Sequence, residues 1–369
     1  MFATQEIIAR DNEYFNLNAP AEADELVAAL SKFKQECENK WNQAFPRTAD
    51  KFNALLATGR TLEVATILAS DGDGGDAPDP LAKLLMLEEL GGVDLDIALS
   101  LLSAYPARYL ASQGGLAALR AAITEQTTVC WFDGHPAGEL PATLNRLLER
   151  DGANLGLLHS YANAVLLLLR QGQSWYWELI SGSDLNACEV AVRHSGLVFA
   201  DLVQLGCRDA QAHRALNWKA LTADETQDIV RFGARLALYL AATLCGALKV
   251  LVERSFKYAR SRHSFDKPLI QHQAVAMRLA DMLTARDVCH LALDRNGRDL
   301  AQGEFDTRNL AGLLFLLSEA VLTITRDAIQ IHGGHGYVEE MPLAKGYRDC
   351  RTLMSHLQFM SVLLVATND

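Results

Sequence analysis

The sequence is short of several features that would mark particular classes of protein. It contains no Cys-x-x-Cys pair, and its seven cysteines are scattered and odd in number. That fits reduced thiols better than a disulfide scaffold or a zinc ribbon. Nine prolines in 369 residues, with half the residues hydrophobic, exclude a disordered or fibrous chain. Positive charge is also scarce: 34 Lys+Arg stand against 45 Asp+Glu, a net charge of −11. A protein that tracks a phosphate backbone needs the opposite balance, so no nucleic-acid partner is expected. No basic segment leads into an apolar run at residues 1–20. The longest strongly apolar stretch, Leu236 to Ala247, falls short of the roughly 20 residues that span a bilayer. The expectation is a cytoplasmic protein without a membrane partner, built from two or three packed units.

What is present divides unevenly. Residues 1–224 carry 17 Lys+Arg against 29 Asp+Glu, whereas residues 225–369 carry 17 against 16. Apolar residues at helical spacing predict helices over Glu22–Gln43, Leu81–Leu90, Asp94–Leu110 and Gly115–Ile123, which makes 1–125 a helical domain. Its acidic loop, Ser70 to Pro80, lacks the ligand and glycine order of an EF-hand and reads as a solvated connector. Residues 126–222 change character. Short apolar runs (Thr128–Phe132, Val165–Leu169, Trp175–Ile180, Leu197–Phe199) are broken by Asp133-Gly134, Gln171-Gly172 and Ser181-Gly182, the punctuation of a small β domain. Residues 223–369 return to long helices: Ile229–Arg262, apolar nearly all round through Ala247, then Ala274–Ala292 and Thr307–Ile331. The fold class is therefore mainly α with a small middle β domain.

Two segments carry chemistry. Lys249, Arg254, Lys257, Arg260, Arg262 and Lys267 crowd into nineteen residues, opposed only by Glu253 and Asp266. Arginine forks match phosphate oxygens, so the stretch suits a pyrophosphate-bearing ligand; a solvated helix face is the plainer alternative. Gln330-Ile-His-Gly-Gly-His-Gly-Tyr337 closes an apolar helix with three glycines in four positions, enough for a backbone to approach a ligand closely. A plain glycine cap would need only one. His332 and His335 have no glutamate between them, and no metal site is expected.

In this order, Tyr258-Ala-Arg-Ser-Arg-His-Ser-Phe-Asp-Lys-Pro-Leu-Ile-Gln-His-Gln273, Leu279-Ala-Asp-Met282, Gln330 to Tyr337 and Tyr347-Arg-Asp349 resemble the C-terminal domain of the acyl-CoA dehydrogenase family. Leu87-Glu-Glu-Leu-Gly91 resembles the family's N-terminal helices. The resemblance implies an N-terminal helical domain, a middle β domain and a C-terminal four-helix bundle. It implies FAD as cofactor and an acyl-CoA substrate. It also implies adenosine diphosphate contacts, largely to a neighbouring subunit's flavin, from Arg262, Phe265, Gln273, Gln330, Gly333 and Gly334. Asp266 stands where the family has glycine.

The family's catalytic machinery is not matched. Its α-proton base is a glutamate within Glu-Gly-Thr, and that position is Leu357 here; the other known location falls at Leu236. His356, Glu339 and Glu340 are the neighbouring candidates for a relocated base. The ring-gripping Thr-Glu-Pro and Lys-x-Trp-Ile-Thr stretches are missing from the middle domain. The resemblance therefore implies a division of labour. This chain would be an FAD-supporting subunit paired with a homologous catalytic acyl-CoA dehydrogenase subunit, as a heterotetramer acting on a bulky acyl-CoA thioester such as a steroid side chain. A homo-oligomeric, self-sufficient flavin enzyme and a flavin-free scaffold of the same fold are the alternatives.

Overall fold

The computed structural model describes residues 30–39 and 47–112 with short gaps, the strands and a few neighbouring positions within 123–207, and 215–365 without a break. Within the first part, α1 (Ala49–Thr61), α2 (Val64–Ala69), α3 (Pro80–Val93), α4 (Leu95–Leu102) and α5 (Tyr105–Ser112) form the helical layer. The Asp79 carboxylate accepts the Leu81 N–H and Pro80 takes the first helical position, so α3 starts where the acidic loop ends. Residues 71–78 of that loop and 115–122 of an expected helix lie outside the described residues. The expected single helix Asp94–Leu110 is two helices, α4 and α5. Pro106 cannot donate to the preceding turn, so it opens a helix and does not continue one.

The middle of the chain is a seven-stranded sheet in the order β5-β6-β2-β1-β3-β4-β7, built from Thr127–Gly134 (β1), Leu155–Gly156 (β2), Ala164–Gln171 (β3), Ser174–Ser181 (β4), Cys188–Arg193 (β5), Val203–Cys207 (β6) and Lys219–Ala220 (β7). Gly172, at φ 61°, turns β3 into β4 as a hairpin. Asp133-Gly134 makes no hairpin: β1 pairs with β3 in parallel, Thr127 opposite Ala164. Alternate residues of the central strands face opposite ways. Val129, Trp131, Leu166 and Leu168 join the main core with the helices, while Cys130, Phe132, Val165, Leu167 and Leu169 build a smaller core behind the sheet. Leu197 is no strand residue. It is buried at φ 55°, and its N–H donates to Asp349 Oδ1 at 2.8 Å.

The last part is a bundle of α6 (Ala223–Ser261), α7 (Gln273–Ala301), α8 (Thr307–His332) and α9 (Pro342–Val365). Thr222 and Glu225 cap α6 reciprocally, the hydroxyl accepting the Glu225 N–H and the carboxylate accepting the Thr222 N–H at 2.8 Å. Residues 236–246 are buried on every face, as all-round apolarity predicts. Among the described residues α6 is long and apolar enough to cross a membrane, yet 78% of its most apolar window is buried inside the protein. It is the core helix of the bundle. Gly91 and Gly246 let α3 and α6 touch backbone to backbone: a Cβ on Gly246 would lie 1.7 Å from the Glu88 carbonyl oxygen, and one on Gly91 1.9 Å from that of Thr243.

One buried lysine ties the three parts together. Lys345 Nζ on α9 lies 2.9 Å from Asp94, 2.7 Å from Asp96 and 2.5 Å from Asp349. Asp94 caps α4 through the Asp96 N–H at 2.9 Å, and Asp349 holds the Leu197 amide. Three carboxylates face one ammonium, more negative charge than the lysine neutralises. Burial first, then the carboxylates of Asp349 and Asp94, push the Asp96 pKa from 3.8 up to about 7, with Lys345 opposing.

Replacing Gly246 by alanine forces α3 and α6 apart, so thermal unfolding should show a loss of at least about 1–3 kcal/mol; unchanged stability would mean the helices are not in backbone contact. For Asp96 the folded pKa is raised, so the native state is penalised as the pH climbs from the unfolded value through about 7. Thermal unfolding of Asp96→Asn should therefore gain on wild type as the pH is raised from about 5 to about 8. A difference that stays constant with pH contradicts this assignment.

Candidate functional site

The basic end of α6 and the glycine turn after α8 meet at one end of the bundle. Tyr258 stacks on His332 with ring centres 4.2 Å apart. Its hydroxyl lies 3.2 Å from His335 Nδ1 and 3.4 Å from the His332 carbonyl oxygen. Arg262 terminates α6, donating its N–H to the Tyr258 carbonyl oxygen at 2.9 Å. A two-stranded hairpin follows, β8 (His263–Ser264) with β9 (Lys267–Pro268). The Leu269 N–H donates to the Arg262 carbonyl oxygen at 2.8 Å, and His272 Nε2 lies 3.0 Å from the Ser264 carbonyl oxygen.

Both tip residues of this hairpin are left-handed, Phe265 at φ 51° and Asp266 at φ 61°. Aspartate is among the few residues that accept this conformation, which explains how the turn forms without the family's glycine. A bulky aromatic there is an outlier, and Phe265 is 89% exposed. Strain that thrusts a large apolar ring into solvent is a mark of a contact site. Gln273, the first residue of α7, is exposed beside it, and the Phe265 and His272 rings lie 6.4 Å apart edge-to-face.

Gln330, Gly333 and Gly334 are exposed at the end of α8. Gly333 has φ 56°, which requires glycine. Gly334 has no such demand, and a Cβ there would meet nothing within 4 Å. All six expected contact residues thus lie on exposed surface, with the hairpin and the turn brought to one end through Tyr258. The Tyr258–His335 contact had no counterpart in the motif reading.

The expected base positions are closed. Leu357 is fully buried in the middle of the unbroken helix α9, and Leu236 is buried on α6. His356 is also buried, at 2% exposure, so it does not stand at an open pocket. Glu339 and Glu340 are exposed on the turn before α9, with the Glu339 carbonyl oxygen accepting from Arg47 Nη1 at 3.4 Å.

Around Leu236 the space between sheet and helices is filled by rings. Phe232 and Tyr239 flank it at helical spacing. Trp175 meets Trp131 edge-to-face at 5.8 Å, Trp131 stacks on Phe232 at 5.6 Å, and Phe232 stacks on Tyr109 at 5.4 Å. Tyr109 leads to Tyr105 at 5.7 Å and Tyr105 to Tyr239 at 5.1 Å. The fully buried Lys83 ammonium sits 4.7 Å from the ring centres of both Tyr105 and Tyr239. Each aromatic pair adds about 0.5–1.5 kcal/mol beyond its buried area, so the seam is a stable wall.

Residues 233–355 match the family model described as acyl-CoA dehydrogenase, C-terminal domain. A 3-(aryl)acrylate reductase from Clostridium sporogenes is 30% identical over 138 residues, 37% of this chain and 35% of that protein. The caffeyl-CoA reductase-Etf complex subunit CarC of Acetobacterium woodii is 31% identical over 129 residues, 35% of this chain and 32% of its own length. The match thus spans about a third of these curated relatives. In three dimensions the likeness covers more: butyryl-CoA dehydrogenase from Megasphaera elsdenii superposes with a TM-score of 0.67 at 18% identity, over 95% of this chain and 98% of that one.

Putting glutamate at the usual base position strands a carboxylate in the bundle core. Leu357→Glu should lose on the order of several kcal/mol of stability in chemical unfolding. Undiminished stability would reveal a cavity at 357 able to receive a carboxyl group.

Proposed function

We propose that this chain, a member of the acyl-CoA dehydrogenase family, is a cofactor-completing subunit that works beside a homologous catalytic subunit. The observation that carries the reading is a contrast within one fold. The surface of Arg262, Phe265, Gln273, Gln330, Gly333 and Gly334 is open, while the interior where a subunit would grip its own flavin ring and acyl chain is packed with six aromatic side chains. The open surface fits the adenosine diphosphate half of FAD. Arg262 supplies a guanidinium fork for diphosphate oxygens, and the Gly333-Gly334 turn offers backbone that a ligand can approach. Phe265 reaches outward, toward a neighbour. Bound FAD supplies the hydride acceptor for α,β-desaturation of a bulky acyl-CoA thioester. The α-proton base comes from the partner, because hydrocarbon occupies both expected base positions of this chain.

Support for a protein partner comes from two sides. A relative is named as a subunit of an Etf complex. On this chain, Met277, Val288 and Leu291 of α7 and Phe315 and Leu322 of α8 are large apolar residues left exposed, the kind of surface another subunit covers.

The test is FAD content of the co-purified complex. Arg262→Ala should lower FAD affinity roughly 10–100-fold, the cost of one charge-assisted contact, while the subunits stay assembled. FAD retained at the wild-type level would leave the chain a scaffold.

A further inference from the structure

A cleft opens where four stretches of the chain meet. Its volume is about 50 Å³, and its polar lining is Arg47 ahead of α1, Asp94 between α3 and α4, Arg254 of α6, and Lys345 and Asp349 of α9. None of the six residues of the diphosphate surface lines it. One bound water needs roughly 10–15 Å³ of such space, so the cleft suits a group the size of a phosphate head and is far too small for a flavin. We propose that this cleft binds a small oxyanion of the phosphate type between the guanidiniums of Arg47 and Arg254. The proposal is independent of the FAD reading.

The charges around the cleft are not equivalent. Lys345 Nζ lies within 2.9 Å of Asp94, Asp96 and Asp349. Asp94 Oδ1 also accepts the Asp96 N–H at 2.9 Å, and Asp349 Oδ1 the Leu197 N–H at 2.8 Å. These groups satisfy one another and the backbone. Arg47 is different. Its Nη1 makes one long hydrogen bond, to the Glu339 carbonyl oxygen at 3.4 Å, and its Nε is buried with no partner among the described residues. A buried N–H without an acceptor is unfavourable, and an oxyanion is the acceptor that a guanidinium matches best. Arg254 brings a second positive charge to the same cleft, one that also bears on His332. Like charges lining a common space repel unless an anion lies between them. Asp94 and Asp349 oppose that anion, which holds its Kd on the order of millimolar. Arg47 belongs to the N-terminal part and Arg254 to the bundle, so a bound oxyanion also fastens the two together.

The cleft lies within one chain, so the full-length chain by itself is the right material. Calorimetric titration with inorganic phosphate at about pH 8, with chloride holding the ionic strength constant, should show one saturable site with a Kd on the order of millimolar. Arg47→Gln removes both the charge and the Nε donor and should weaken binding at least about tenfold. Arg47→Lys keeps the charge without the fork and should fall between, which preserves the test if the glutamine variant does not fold. Arg262→Ala, on the other surface, should leave phosphate binding unchanged. Tighter binding of glycerol 3-phosphate than of inorganic phosphate would assign the head of a phosphate ester as the ligand, and weaker binding the free ion. No saturable binding by wild type overturns the proposal, and so does binding that survives both Arg47 substitutions at full strength or is lost in Arg262→Ala.

Discussion

Aromatic packing between the sheet and α6 governs what this fold can hold. Trp131 and Trp175 project from the central strands toward Phe232, and Tyr105, Tyr109 and Tyr239 continue the contact among α5 and α6. Five of these six rings are at most 2% accessible, and Tyr109 is 5% exposed. Protein interiors pack about as tightly as organic crystals, so a seam of buried rings leaves little free space. Opening it would separate apolar surfaces whose burial contributes about 25 cal/mol for each Å². A buried lysine between two tyrosines completes the filling of this core.

The outer surface obeys a different constraint. The hairpin tip is held in a left-handed conformation that costs energy for phenylalanine, yet its base is pinned by the Arg262–Leu269 and Ser264–His272 contacts. Conformational strain kept in an exposed ring, next to an arginine and a glycine turn with free space, has no structural benefit to an isolated chain. It makes sense when another molecule covers it. The buried seam and the exposed hairpin occupy different stretches of α6. Leu236 belongs to its buried middle, and Arg262 is its last cap.

Much of this was legible in the residues. All-round apolarity from Leu236 to Ala247 marked the core helix, and Tyr258 brings the motif segments around Arg262 and Gly333 to one end of the bundle. Leu357 and Leu236, read as apolar residues at the family's two base positions, are both buried. Other features were hidden for physical reasons. Asp133-Gly134 told where β1 stops, but turn chemistry does not say which strands it pairs with, and β1 lies between the parallel β3 and the antiparallel β2, reached only after some twenty residues and not by a tight hairpin. The run at Leu197 looked like a strand because apolarity alone cannot show a left-handed residue docked on Asp349. Pro106 was a break signal that the apolar periodicity of 94–110 masked. The ring seam is a long-range assembly from four separate elements, and no local pattern encodes it. The burial of Lys83, Asp94, Asp96 and Lys345 has no local signal, because composition does not reveal which charges will be buried together.

Flavin stoichiometry of the isolated chain is the most direct measurement of the central claim. Purified without a partner and equilibrated with FAD, the chain is predicted to retain well under one flavin per polypeptide, and addition of acyl-CoA should not bleach the flavin absorbance. One FAD tightly held per chain and reduced by an acyl-CoA would contradict the account, because it would require the packed interior to be an active site.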